Sequence, residues 1–221
     1  GAFVIQDISS MLAVEALGLP KMDNQGTLKI LDICAAPGGK SMLAADILNH
    51  ADIDYMLEAR DISEYKVELM QENFNRCHVN KAKAVAWDAL EPDERWLGQA
   101  DVVIADIPCS GLGVIGRKRD IKYKMTPQAV QDIVELQEKI LKVAASYVKK
   151  GGKLLFSTCT VNKDENEAHV KWIQDTLKMT PVSLNGTLLG LVHSPTTQQG
   201  FVQLIPGMQD TDGFFISVFE K

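Results

Sequence analysis

Two cysteines, each placed just after an apolar run, are the side chains best suited to chemistry: Cys109 in Asp106-Ile107-Pro108-Cys109-Ser110-Gly111, and Cys159 in Ser157-Thr158-Cys159-Thr160. The runs before them, Asp101 to Ala105 and Gly152 to Phe156, predict buried parallel strands. The carboxyl ends of such strands face the crevice where open α/β sheets bind ligands. A lone cysteine near a strand end is ordinarily a small buried hydrophobe. Two at such strand ends, with Asp106 three residues ahead of one, point to a sulfur nucleophile and a second group that handles a proton.

A third strand, Leu28 to Ile33, ends in Asp32-Ile33-Cys34-Ala35-Ala36-Pro37-Gly38-Gly39-Lys40. Small residues and paired glycines between a strand and a helix let the backbone approach a ligand closely. The loop is not a dinucleotide fingerprint, because Gly-x-Gly-x-x-Gly is absent. Nor is it a Walker A loop, since Cys34 stands where that motif needs its first glycine. Further acids fall at successive strand ends: Asp61, Asp88 and Asp106. An acid after the second strand is where doubly wound folds bind a ribose, and Glu58 competes with Asp61 for that place. Any one Asp in such a position is an ordinary turn former; three around one crevice suggest a site.

The elements that must hold these residues alternate. Strands are predicted at Leu28 to Ile33, Tyr55 to Ala59, Ala82 to Trp87, Asp101 to Ala105 and Gly152 to Phe156, with helices at Gly39 to Asn49, Ser63 to Cys77 and Pro127 to Lys149 between them. The last helix has Thr126 as its cap and Gly151-Gly152 as its stop. Asn162 and Glu165 suggest a capping box for a helix reaching about Leu177. Phe201 to Ile205 and Phe214 to Glu220 read as an antiparallel hairpin, and Gly186 to Gly200 as a loop. Asp7 to Leu17 reads as a short leading helix. The pattern is that of an open, doubly wound α/β sheet.

Composition and charge narrow the rest. The 221 residues are 46% hydrophobic and 24% charged, which suits one globular domain with a substantial core. No apolar run approaches the roughly 18 residues of a membrane span. The four cysteines form no Cys-x-x-Cys pair, so neither structural zinc nor a disulfide framework is expected, and a reducing cytoplasmic compartment is the default. His50, His78, His169 and His193 show no ligand spacing. A formal net charge of −6 argues against a nucleic-acid partner, yet Arg117, Lys118, Arg119, Lys122 and Lys124 crowd around a single Asp120. That run is either a solvated loop or a contact for phosphates.

Asp32 to Lys40, Asp106 to Gly111 and Thr158-Cys159-Thr160 resemble the signature motifs of S-adenosylmethionine-dependent RNA cytosine-5 methyltransferases. Within that family the chain is most similar to the bacterial Sun/RsmB (Fmu) enzymes, which methylate a cytosine in small-subunit (16S) ribosomal RNA. Gln6-Asp7-Ile8-Ser9-Ser10, Arg119-Asp120-Ile121-Lys122-Tyr123, Asp164-Glu165-Asn166 and Asp212-Gly213-Phe214-Phe215 extend the likeness over nearly the whole length.

The resemblance implies a Rossmann-like class I methyltransferase fold: α/β, a mostly parallel seven-stranded sheet with a C-terminal antiparallel hairpin and helices on both faces. It implies that Cys34, Ala35, Ala36, Pro37, Gly38, Gly39 and Lys40 hold the methionyl part of S-adenosyl-L-methionine. Asp61 would bind its ribose, Asp88 its adenine side, and Asp106 would border cofactor and target base. Cys159 matches the family nucleophile and Cys109 the cysteine that releases product. Arg117, Lys118, Arg119, Lys122 and Lys124 would grip RNA. Residues 1–24 are expected to be a lead-in packed on a methyltransferase domain of residues 25–221. The family's N-terminal helical RNA-binding domain is expected to lie outside this chain. A monomer without metal or membrane partner is expected. Three alternatives stay open: a transfer-RNA substrate, a DNA methyltransferase with Cys109 as nucleophile, and a non-catalytic RNA-binding module.

Overall fold

The computed structural model describes residues 4–22, 26–188, 192 and 194–221. Apolar runs give five parallel strands, β1 (Leu28–Asp32), β2 (Tyr55–Asp61), β3 (Ala82–Ala86), β4 (Ala100–Asp106) and β5 (Val148–Thr158), in the spatial order β3-β2-β1-β4-β5. The order reverses between β1 and β4, which makes their carboxyl ends the switch point where doubly wound sheets bind ligands. Beyond β5 come β6 (Thr180–Pro181), β7 (Phe201–Leu204) and β8 (Phe214–Glu220). β8 lies antiparallel to β5, and the predicted hairpin forms between β7 and β8. The sheet has eight strands, not seven. Thr180 and Pro181 pair with Glu220 and Phe219, the end of β8 that β7 leaves free.

Helices cover both faces. On one side α1 (Ile8–Glu15), α2 (Gly39–His50) and α3 (Glu64–Arg76) bury Leu12, Val14, Ala44, Leu48, Met70 and Phe74 against Ile30, Leu57, Val102 and Ile104. After the short α4 (Ile121–Lys124), α5 (Pro127–Tyr147) and α6 (Glu167–Trp172) cover the other side. There Ile140, Leu141, Ala144 and Val170 meet Leu31, Val103, Leu154 and Phe156. A last short helix, α7 (Asn185–Leu188), adds Leu188 to the first core. Each fully buried Leu, Ile, Val or Phe contributes roughly 1.5–3 kcal/mol, whereas an exposed ion pair contributes about 0–1 kcal/mol. The two cores hold the strand ends in place.

Local signals mostly behave as read. Thr126 caps α5 by accepting from the Ala129 N–H, as expected; Asp7, expected as the first residue of the leading helix, instead caps α1 by accepting from the Ser9 N–H at 3.0 Å. Two readings fail. Gly151 and Gly152 do not stop α5; they lie inside β5, which begins directly after the helix at Val148. The register shifts there, opposite Ala100 and Val102, and a Cβ on Gly152 would come within 2.9 Å of the Ala100 carbonyl. The glycines serve a bulge. Glu165 forms no capping box either, because it is wholly buried and turned away from its own helix end. The helix proper begins at Glu167 and continues after Trp172 as a π turn, Ile173–Leu177. Within the expected loop from Gly186 to Gly200, Pro195–Gln199 winds into a 3-10 helix, and His193 lies outside the described residues.

Candidate active site

β4 and β5 are neighbours with Asp106 opposite Ser157, so the turns that follow them run side by side. This brings Cys109 and Cys159 together, with their sulfurs 3.3 Å apart. The contact divides the pair electrostatically. Cys159 is held below the ordinary thiol value, first by the hydrogen bond from Cys109 and further by the charge of Lys118, against burial and Asp106. Cys109 is pushed far up, first by that same bond and then by burial. The proton therefore stays on Cys109 and the negative charge forms on Cys159.

Asp106 sits beside them, paired with the Lys40 ammonium at 2.5 Å through Oδ2, while Ser157 Oγ donates to Oδ1 at 2.8 Å. Lys40 also lies 5.2 Å from the Phe214 ring centroid, so the Asp212-Gly213-Phe214-Phe215 stretch closes the site from β8. Beneath them Asp32 is wholly buried, accepts from Ser41 Oγ at 2.7 Å, and leaves Oδ1 without a partner. Burial pushes its carboxyl up to about 7. Asp32 and Ser157 stand within the motif stretches and Ser41 directly follows one, but the sequence assigns none of the three a role.

Two cavities meet at Cys34. One, of about 250 Å³, is lined by Gln6, Asp32, Ala35, Pro37, Lys40 and Asp106. The other, of about 240 Å³, is lined by Asp61, Ile62, Trp87, Asp88, Pro108 and Leu136. The first is polar and charged. The second pairs apolar walls and an indole with two carboxylates at the ends of β2 and β3. Ala36 and Pro37 turn the chain, and Gly38, at φ +96°, starts α2 with Gly39 against Gln6. Such a crevice suits a ligand with a flat heterocycle, vicinal hydroxyls and a charged aminoacyl tail. The orphaned Asp32 oxygen is available to a cationic donor. Cys34 lines both halves as a thiol, its proton held by burial and the neighbouring acids.

The rivalry between Glu58 and Asp61 has a clear geometry. Glu58 Oε1 accepts from Arg60 Nε at 2.7 Å and its Oε2 pairs with Lys83 at 2.7 Å, while the Arg60 guanidinium lies 4.8 Å from the Trp87 ring centroid. Asp61 instead lines the second cavity, one oxygen holding the Ser63 N–H at 3.0 Å. Asp88 holds the Leu90 N–H at 2.9 Å on the same rim.

The basic run divides as well. Arg117 is engaged with two carboxylates, Asp7 at 2.9 Å and Asp212 at 3.1 Å, and so ties the lead-in to the β7–β8 connection. Lys118, Arg119 and Lys122 are exposed, Lys124 pairs with Asp120, and the Tyr123 ring stands free beside Lys122. Among the described residues no three His, Cys, Asp or Glu side chains cluster as a metal site, and no helix is long and apolar enough to cross a membrane.

The strand order and the acid-rimmed crevice define a Rossmann-like class I methyltransferase fold. The chain belongs to the family described as 16S rRNA methyltransferase RsmB/F, whose model matches residues 19–220. It is 38% identical, over its whole length, to the Bacillus subtilis (strain 168) protein named "Probable ribosomal RNA small subunit methyltransferase B", covering 48% of that protein. It is 30% identical to the "Ribosomal RNA small subunit methyltransferase F" of Escherichia coli O9:H4 (strain HS), covering 45% of it. The chain thus spans about half the length of the curated relatives it matches. Among solved structures, NSun6 from Pyrococcus horikoshii with SFG superposes with a TM-score of 0.80 at 26% identity, over 98% of this chain and 52% of that one. A Pyrococcus horikoshii methyltransferase homolog gives 0.78 at 26% identity, over 99% and 68%.

Proposed function

We propose that this chain is the catalytic part of an enzyme that transfers the methyl group of S-adenosyl-L-methionine to carbon 5 of a cytosine in 16S ribosomal RNA. It works as a monomer in the cytoplasm. The observation that carries the reading is the 3.3 Å approach of Cys159 to Cys109 beside Asp106, at the rim of the acid-lined crevice. The family and its named relatives support the substrate class.

Carbon 5 of cytosine is a weak nucleophile. A Cys159 thiolate bonded to carbon 6 makes carbon 5 enamine-like and divides one difficult step into two. N3 must gain a proton or a hydrogen bond as charge develops there, and the Asp106–Lys40 pair beside the sulfurs is assigned that task. The cofactor, held by Cys34 to Lys40 and by Asp61 and Asp88, supplies an electrophilic methyl on a sulfonium. Once Cys159 is bonded to carbon 6 it no longer holds the Cys109 proton as a thiolate would, so Cys109 can release that proton to solvent and then, directly or through water, take the carbon 5 proton; the carbon–sulfur bond to Cys159 breaks as the ring regains its double bond. The base must lie outside a stack to reach the sulfur, so the substrate is single-stranded, looped or flipped. Lys118, Arg119, Lys122 and Lys124 contact the flanking phosphates.

Two variants test the roles. Cys109→Ala is expected to accumulate a covalent protein–RNA adduct with cofactor present, and Cys159→Ala to form none. The reverse pattern would assign the attacking thiol to Cys109, as in a DNA-type enzyme, and defeat the reading. Mapping of radiolabel transferred to total RNA addresses the substrate. Label confined to 16S ribosomal cytosine supports it, and label in transfer RNA moves the chain to a sister specificity. Absence of S-adenosylmethionine binding by calorimetry would leave only an RNA-binding module.

A further inference from the structure

The Asp164-Glu165-Asn166 stretch plays no part in the chemistry above, yet it lies between both cysteine turns. Glu165 is wholly buried, and among the described residues no lysine or arginine pairs with it. A buried carboxylate without a cation is costly unless hydrogen bonds satisfy it. Here they converge from both turns. Ser110, the residue after Cys109, donates its N–H at 2.8 Å and its hydroxyl at 2.5 Å. Thr160, the residue after Cys159, donates its hydroxyl at 3.3 Å and meets the Ser110 hydroxyl at 2.8 Å. Gln137 on α5 donates at 3.1 Å and also holds the Pro108 carbonyl at 2.8 Å. The adjacent Asn166 grips the other side of Cys159, accepting from Thr158 Oγ1 at 2.6 Å and donating to the Thr160 carbonyl at 3.0 Å.

We propose that Glu165 is a positioning residue: its buried carboxylate clasps the residues that follow Cys109 and Cys159, and so sets the distance between the two sulfurs. Ser110 and Thr160 are each one peptide unit from their cysteine, about 3.8 Å along the chain, so little slack separates clasp from sulfur. Reaction steps that pass a proton near one sulfur and a carbon to the other tolerate little displacement. The assignment rests on the reading of these cysteines as the reacting pair.

The test uses a ruler that needs no RNA. Diamide takes two electrons and two protons from a neighbouring thiol pair, leaving a disulfide and the corresponding hydrazine, and peptide mapping identifies the Cys109–Cys159 bond. Glu165→Ala is expected to slow disulfide closure and lower kcat by about tenfold or more, while the KM for S-adenosylmethionine stays within about twofold because its crevice does not touch Glu165. Glu165→Gln is expected to keep both rates within about threefold of the parent, since the two hydroxyls can turn to accept from the amide. A folded Glu165→Ala protein with parental rates, or Glu165→Gln as slow as Glu165→Ala, overturns the proposal. Should Glu165→Ala not fold, the Ser110→Ala/Thr160→Val protein decides: slowing of about threefold or more supports the clasp, and parental rates overturn it. Rapid closure in the parent with no methylation of any RNA defeats the proposed function and leaves the clasp supported.

Discussion

At a sulfur–sulfur distance of 3.3 Å, the environment decides which of the two thiols gives up its proton first. Cys159 loses it first, because Cys109 donates to its thiolate and Lys118 adds positive charge. Iodoacetamide should therefore label Cys159 ahead of Cys109, with its half-maximal rate at the lower pH of the two. Equal labelling of both, mapped by mass spectrometry over pH 6–9, would contradict this division. A second residue-scale constraint comes from Gly113. Its N–H donates to the Cys159 carbonyl at 3.0 Å and its carbonyl accepts from the Gly213 N–H at 2.9 Å. A Cβ at 113 would fall 2.0 Å from the Gly213 carbonyl, a backbone atom that cannot step aside. Gly113→Ala should cost about 3 kcal/mol or more of stability, read as a shift in the urea midpoint. An unchanged midpoint would show that the two loops yield freely.

At the scale of elements, the segment from Arg117 to Lys124 does two jobs that its charge alone conceals. Arg117 bridges Asp7 on the lead-in and Asp212 before β8, while Lys118, Arg119 and Lys122 face outward. The Arg117 guanidinium is exposed while both acids are partly buried, so Arg117→Gln should cost about 1 kcal/mol in folding. Its expected effect is local: faster protease cleavage in the lead-in, with the salt dependence of RNA binding unchanged. Replacing Lys118, Arg119 and Lys122 together by Gln should lower the slope of log K against log salt by about 2, near 0.7 per phosphate contact on a single strand. Equal slopes for parent and triple variant would remove this segment from the RNA interface.

For the molecule as a whole, the buried acid under the crevice couples the site to stability. Asp32 titrates at about 7 when folded, raised by desolvation, and at about 3.9 when unfolded. Between those values the folded state keeps a proton that the unfolded state has released. Stability on this group's account is thus greatest below about pH 4 and declines as pH rises through 7, by at most about 1.4 kcal/mol per pH unit. Asp32→Asn carries no such proton and should flatten that limb in denaturant melts between pH 5 and 8. Parallel curves for the two proteins would mean that Asp32 ionises normally in the fold.

Local periodicity makes most of the architecture legible in the sequence: five parallel strands, the helices between them, the Thr126 cap and the final hairpin are all present as pattern. The same pattern places Cys109, Cys159, the Asp32 to Lys40 loop and the acids at strand ends, and the structure sets them around one crevice. What only the tertiary structure decided depends on partners distant in the chain. Gly151 and Gly152 read as a helix stop because a bulge opposite Ala100 leaves no local trace. Glu165 read as a helix cap because its actual partners, Ser110 and Gln137, lie 55 and 28 residues away. Glu58 and Asp61 were equivalent as letters until Arg60 and Lys83 took one of them. Residue type can be read along a chain, but which donor meets which acceptor is decided when packing brings distant segments into contact.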